Sequence, residues 1–303
     1  MSGLLILFSN NILPIFLASG AGYLSSKFLK VAPRPVSQIA FYIFSPCLIF
    51  NLLTTSQLSG EDISRMAGFT VLSILLLGAL ALLVGYLLRL ERRVLVAVLL
   101  TTMFGNAGNY GLSLNLFAFG EKALAQASLY FVTTAILIYT IGVFVASMGN
   151  SSISQSLLGL LKVPAVYAVA LAFVFNRYQL QLPLPLDRTV TILSDAAIPV
   201  LMVLLGIQLE HSQWDGKALA LSVSNVMRLV AAPVLALLLS FVFGLEGAAL
   251  KAGVLESAMP TAVLMTVLAT EYNVEPSLVT SIVFTTTLLS PITVTPLLAY
   301  LGA

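Results

Sequence analysis

The sequence predicts an all-α membrane protein of ten transmembrane helices arranged as two inverted halves of five. Three observations lead there. Hydrophobic residues make up 59% of the 303 residues and charged residues only 9%, whereas a soluble domain carries about a quarter charged. The apolar residues fall into runs of the length that crosses a bilayer, roughly 20 residues each. Two of those runs are interrupted by residues that hydrocarbon disfavours, FGNAGNYGLS at 104–113 and LESAMPTAVL at 255–264.

The runs occupy 4–26, 36–55, 66–88, 94–119, 122–148, 153–176, 187–209, 217–243, 248–271 and 277–301. The opening MSGLLILFSNN has neither a basic n-region nor a small-residue cleavage site, so it reads as the start of the first span. A short FGEK turn separates the fourth and fifth runs, and EHSQWDGK, with His211 as a solvated loop residue, separates the seventh and eighth. Basic residues orient the whole. Loops after odd-numbered spans hold Lys27, Lys30, Arg34, Arg89, Arg92, Arg93, Lys162 and Lys217. Loops after even-numbered spans hold Arg65, Lys122, Arg177, Arg188 and Lys251. The excess puts the 149–162 connection inside and both termini outside.

Five spans per half is an odd number, so a repeat would be inverted across the membrane. Pro14 and Pro164 stand 150 residues apart, Pro46 and Pro199 153, and Asn109 and Pro260 151. The halves are then 1–148 and 157–303, joined by a polar connector at 149–156 within MGNSSISQS. The net charge of +2 and the absence of a basic cluster exclude nucleic acid, and the lone Cys47 excludes an internal disulfide. No HExxH and no GxGD-like motif is present, which removes the known intramembrane enzyme patterns. The mean hydropathy of +1.04 leaves little room for an aqueous domain.

Paired interruptions in corresponding halves point to the binding site of a secondary transporter. Non-helical backbone at membrane depth survives where protein buries it or where it lines a watery cavity. Gly105, Gly108 and Gly111 permit an unwound crossing, and Asn106 and Asn109 offer donors and acceptors to a ligand. Half-helix N-termini meeting there would favour an anion. In the ninth span Pro260 cannot donate its N–H and excludes the carbonyl of Glu256. Free carbonyls beside a carboxylate make either a hard oxygen site for a small cation or a carboxyl that takes up a proton; the plainer alternative is a Glu256 satisfied by Arg228. Asp195 is either a second proton site or an interfacial residue. Arg228 either faces a carboxylate substrate or pairs with Glu256 or Asp195. Asn51, with Ser45 and Thr54, adds polar groups to the second span.

The early LPIFLASGAGYL, FYIFSPCLIF in the second span, GNAGNYGLSL in the fourth and ESAMPTAVL in the ninth resemble the auxin efflux carrier family, bacterial members included. The resemblance covers essentially the whole chain. It implies a fold similar to the bile acid–sodium symporters, with separate scaffold and core domains and with the fourth and ninth helices crossing at Asn109 and Pro260. It implies a small organic anion as substrate, and the candidate ligands for it in this chain are Asn51, Asn106, Gly108, Asn109, Tyr110, Arg228, Pro260 and Thr261. It also implies a sodium ion at Glu256, assisted by the carbonyls of Ser257 and Met259 and completed by Ser128 and Thr133, with no other cofactor. A homodimer in a bacterial inner membrane follows from the same likeness. Many relatives carry a proline at the first crossing, where this chain has Asn109-Tyr110. An anion channel and a sensor that binds without transporting are the alternative readings; sodium coupling, proton coupling and uncoupled export all stay open.

Overall fold

The structure is a computed structural model that describes residues 2–55, 59–147, 164–210 and 217–303. The expected connector at 149–156, the half boundaries at 148 and 157, and His211 lie outside the described residues. Among the described residues every regular element is helical. Among the described residues seven continuous helices are long and apolar enough to cross a membrane. These are α1 (Gly3–Leu29), α2 (Pro33–Thr55), α3 (Gly60–Leu87), α6 (Glu121–Ser147), α8 (Leu184–Glu210), α9 (Ala218–Val242) and α12 (Pro276–Leu301). Between them lie α4 (Arg92–Met103), α5 (Ala107–Leu112 running on into Ser113–Phe119), α7 (Pro164–Tyr178), α10 (Gly247–Ser257) and α11 (Leu264–Glu271). Large apolar side chains such as Leu83, Tyr86, Phe173, Phe241 and Val242 project outward from these helices. Water would leave them bare and a bilayer covers them, so the protein is a multi-pass membrane protein.

Local chemistry explains much of the helix geometry. Ser59 and Asp62 close α3 with a reciprocal capping box, Asp62 N–H to Ser59 Oγ at 3.1 Å and Ser59 N–H to Asp62 Oδ2 at 2.9 Å. Wide π turns occur at Phe8–Ile12, Ala40–Phe44 and Met227–Ala231, each ending two residues before a proline: Pro14, Pro46 and Pro233. Proline lacks an N–H and its ring crowds the carbonyl four residues back, and a wider turn relieves both. The π turns at Ala107–Leu112 and Ile138–Gly142 have no such proline, and both face the cavity described below.

The helices pack in two groups. In one, α1 lies against α8, and α2 lies against α7 and α8. The α1–α8 contact is backbone on backbone: Ser19 Oγ donates to Met202 O at 3.0 Å, and Gly22 and Gly206 leave no room for a Cβ. Small residues of this kind let membrane helices approach closely. In the other group α6 packs on α3 and α10, α9 on α10, and α12 on α9 and α11. Helix α5 touches both, resting on α6 and on α8.

Candidate functional site

Two helices break and meet. Between α4 and α5 the chain is extended at Phe104 and Gly105, and between α10 and α11 it is non-helical from 258 to 263. The two links pair as a short antiparallel bridge at Gly105 and Thr261. Asn106 N–H donates to Pro260 O at 2.7 Å and Ala262 N–H to Phe104 O at 2.9 Å. Thr261 Oγ1 reaches Thr101 O at 2.8 Å, while Thr286 Oγ1 of α12 accepts from Thr261 N–H at 3.2 Å. Broken backbone inside a membrane must find partners, and here each link supplies many of the other's. The crossing lies at Gly105–Asn106, one turn before the Asn109 expected from the resemblance. Asn109 is already wound into α5, because Asn106 Oδ1 caps that helix by accepting from Asn109 N–H at 3.3 Å.

The three glycines are there for space. None of Gly105, Gly108 and Gly111 has a positive φ, so only Gly105 lies in unwound chain and the other two sit in a helix. A Cβ on Gly105 would fall 2.2 Å from Arg228 Nη2, one on Gly108 2.9 Å from Phe131, and one on Gly111 2.1 Å from Glu256 Oε2.

Arg228 is 1% exposed and reaches the crossing from the π turn of α9. Its Nε donates to Met259 O at 2.6 Å, its Nη2 to Ser257 O at 2.6 Å and its Nη1 to Thr102 O at 3.0 Å. Neither Glu256 nor Asp195 pairs with it. Glu256 is fully buried; its Oε1 accepts from Asn115 Nδ2 at 3.0 Å, and its Oε2 has no hydrogen-bond partner. The Oδ1 of Asn115 is likewise bare.

These contacts correct the expected sodium set. The carbonyls of Ser257 and Met259 already serve a guanidinium. Ser128 Oγ donates to Leu124 O at 2.9 Å and Thr133 Oγ1 to Leu129 O at 2.8 Å, both along their own helix. With the Ser257 and Met259 carbonyls on a guanidinium, a sodium ion held there would sit against a positive charge, so the set does not fit it in that way. The Ser128 and Thr133 oxygens nevertheless keep their lone pairs, and Glu256 Oε2 has no hydrogen-bond partner. Asp195 is exposed on α8.

Beside the crossing opens a cavity of about 1220 Å³. Asn106, Gly108 and Asn109 line it, with Val263 and Leu264 at the start of α11. Of the other expected substrate residues, Tyr110 is buried with its OH accepting from Ser290 Oγ at 3.3 Å, and Asn51 Nδ2 donates to Ser194 Oγ at 3.3 Å between α2 and α8. Pro260, Thr261 and Arg228 form the floor structure and do not line the cavity. Residues not expected as substrate ligands also line it: Arg34, Ser37, Thr134, Tyr139, Gln208 and Glu271. Asn109 Nδ2 donates to Gln208 Oε1 at 2.8 Å and Gln208 Nε2 to Ser37 Oγ at 3.4 Å, a chain from α5 through α8 to α2. Asn106 is 5% exposed, and its Nδ2 has no acceptor.

Residues 7–298 match the family described as membrane transport protein. The chain belongs to that family, which includes the auxin efflux carriers. This membrane transport protein is 26% identical to an uncharacterized transporter of Methanothermobacter thermautotrophicus over 84% of each chain. It is 27% identical, over 95% of its own length and 93% of the other, to a Rhizobium meliloti protein provisionally named a malonate transporter. Over 48% of its length it is 31% identical to auxin efflux carrier component 3a of Oryza sativa subsp. japonica, covering 22% of that protein. The family and these relatives are transporters, not enzymes.

Proposed function

We propose that this membrane transport protein is a secondary carrier that moves a small organic carboxylate by alternating access. The observation that carries the reading is Asn106: a buried amide donor without an acceptor, on a cavity wall, capping the N-terminus of a broken helix. A helix N-terminus favours negative charge, and so does that of α11, which lines the same cavity. A carboxylate oxygen is the acceptor this arrangement lacks. Arg34 adds a positive charge to the wall and Glu271 a negative one, so selection would favour a short anion seated deep, away from Glu271.

In this reading the seven continuous helices, α7 and the two broken pairs make ten crossings, in inverted halves of five. The α1, α2, α7, α8 group is the scaffold and the rest is the moving core. The Asn109–Gln208–Ser37 chain then bridges core and scaffold and must break as the core slides. The cavity reaches Pro33, Arg34, Glu271 and Pro276; by the distribution of Lys and Arg that end is cytoplasmic, so this state opens inward, with both termini outside, in a bacterial inner membrane and as a homodimer. A proton on Glu256 Oε2 is the coupling the core accommodates.

The test is counterflow in liposomes with malonate, malate, lactate and indole acetate, malonate first because of the relative's name. The expected result is saturable exchange of one of them. Asn106→Leu should raise the half-saturating concentration at least tenfold, since a hydrogen bond to a charged group contributes about 1.5–3 kcal/mol. Arg34→Gln should raise it with the maximal rate kept. Conductance that never saturates would replace the carrier with an anion channel.

A further inference from the structure

The fit of the crossing to Arg228, and its misfit to sodium, carries a consequence for ion coupling. Breaking a helix leaves its last carbonyls without N–H donors and puts a partial negative charge at its C-terminus. Two such ends, those of α4 and α10, converge here. Their exposed carbonyls at Thr102, Ser257 and Met259 are met by three nitrogens of one guanidinium. The fork geometry of Arg spans acceptors on two different chain segments, which a compact ammonium cannot do. Gly105 provides the space for it. Pro233, two residues beyond the π turn, accounts for the wide turn from which Arg228 projects.

We propose that the Arg228 guanidinium is the resident cation of the helix crossing, occupying the place a bound alkali ion would otherwise fill, so that the carrier runs without sodium. The dipoles of the broken helices then sort by sign. The negative ends of α4 and α10 hold Arg228 on one side of the crossing. The positive ends of α5 and α11 face the cavity, where the anion binds. Arg228 and Glu256 are the buried charged residues among those described, and both belong to the core group. The charge that offsets the substrate during its passage is therefore covalently part of the protein.

Glu256 Oε2 and Asn115 Oδ1, on two side chains that hydrogen-bond each other, are among the buried oxygens without a partner, and they are the ligands sodium would use if the charge were not already supplied. Thermal unfolding of the purified protein in detergent decides between the two. The native chain is measured in sodium, potassium and choline chloride at constant ionic strength, together with binding of radioactive sodium. The expected result is one unfolding temperature in all three salts and no saturable sodium binding. A saturable sodium-specific rise of several degrees, abolished in Glu256→Gln, would overturn the proposal. In Arg228→Ala the three carbonyls lose their donor, and low-millimolar guanidinium should restore the unfolding temperature where equimolar choline does not. An Arg228→Ala protein that ignores guanidinium would also overturn it. Should that variant not fold, Arg228→Lys takes its place: it should unfold below the native chain in every salt, and an unchanged temperature would count against the fork. The proposal rests on the carrier reading for its meaning, but these readouts need no transported substrate. Absent counterflow would sink the carrier and leave the resident cation standing.

Discussion

Gly22→Ala is expected to unfold several degrees below the native chain, whereas Gly20→Ala, two residues away on the same helix, should match or slightly exceed it. A Cβ at Gly22 would lie 2.0 Å from Val203 O, and one at the facing Gly206 would lie 1.6 Å from Ser19 O. Both obstructing atoms are backbone, so no rotamer change makes room and α1 must move off α8. Overpacking of this kind costs about 1–3 kcal/mol, and a backbone obstacle puts the cost at the top of that range. The separation would also lengthen the Ser19 Oγ–Met202 O bond of 3.0 Å. Gly20 meets nothing within 4 Å, so alanine there only removes the helix-weakening freedom of glycine, a gain of about 0.5–1 kcal/mol. Thermal unfolding of both variants in one detergent checks it. Equal unfolding temperatures would mean that α1 and α8 are not in backbone contact.

The positions of the two breaks were legible in the sequence because amides, glycines and a proline inside apolar runs have few tolerable explanations. Their crossing point was displaced by one turn, and the reason is instructive. Glycine advertises two properties, conformational freedom and the absence of a side chain. The sequence reading took the first for Gly105, Gly108 and Gly111, and the structure uses the second at all of them. Which side chain fills the space depends on contacts distant in sequence, more than a hundred residues away for Arg228 against Gly105 and Glu256 against Gly111, and no local pattern encodes them. Asp195 reads in the sequence as either a proton site or an interfacial residue, and its exposure on α8 agrees with the second. Ser194, Ala197, Ile198 and Leu201 are buried at spacings of three, four and seven, a helical stripe that leaves Asp195, roughly 100° round the helix from Ser194, outside it. Arg34 and Glu271 looked like ordinary span-end residues; only the cavity between their helices gives them a shared surface. Thr286 gives no signal in the sequence, because a threonine commonly donates to its own helix backbone. It does donate its hydroxyl hydrogen to Ile282 O at 2.7 Å, but the oxygen keeps its lone pairs, and one of them accepts from Thr261 N–H.

Gly111→Ala should be destabilised by about 1–3 kcal/mol and inactive in transport, and adding Glu256→Ala should restore much of the stability while leaving transport lost. The added methyl would meet Glu256 Oε2 at 2.1 Å and its carboxyl carbon at 2.6 Å. The carboxyl has little freedom to retreat: it is fully buried, and Oε1 is held by Asn115 Nδ2. Shortening residue 256 removes the obstacle. It does not orphan Asn115, whose Nδ2 also donates to Gly111 O at 3.0 Å. The double-mutant cycle should therefore show a favourable coupling within the 0.5–3 kcal/mol typical of residues in contact. A flexible-backbone role for Gly111 predicts the opposite, because alanine would then stiffen α5 whatever occupies position 256, and the two substitutions would simply add. Additive losses would return Gly111 to the role of a hinge. A rescue of stability without a rescue of counterflow would show that the glycine exists to admit the carboxyl and that transport needs the carboxyl itself.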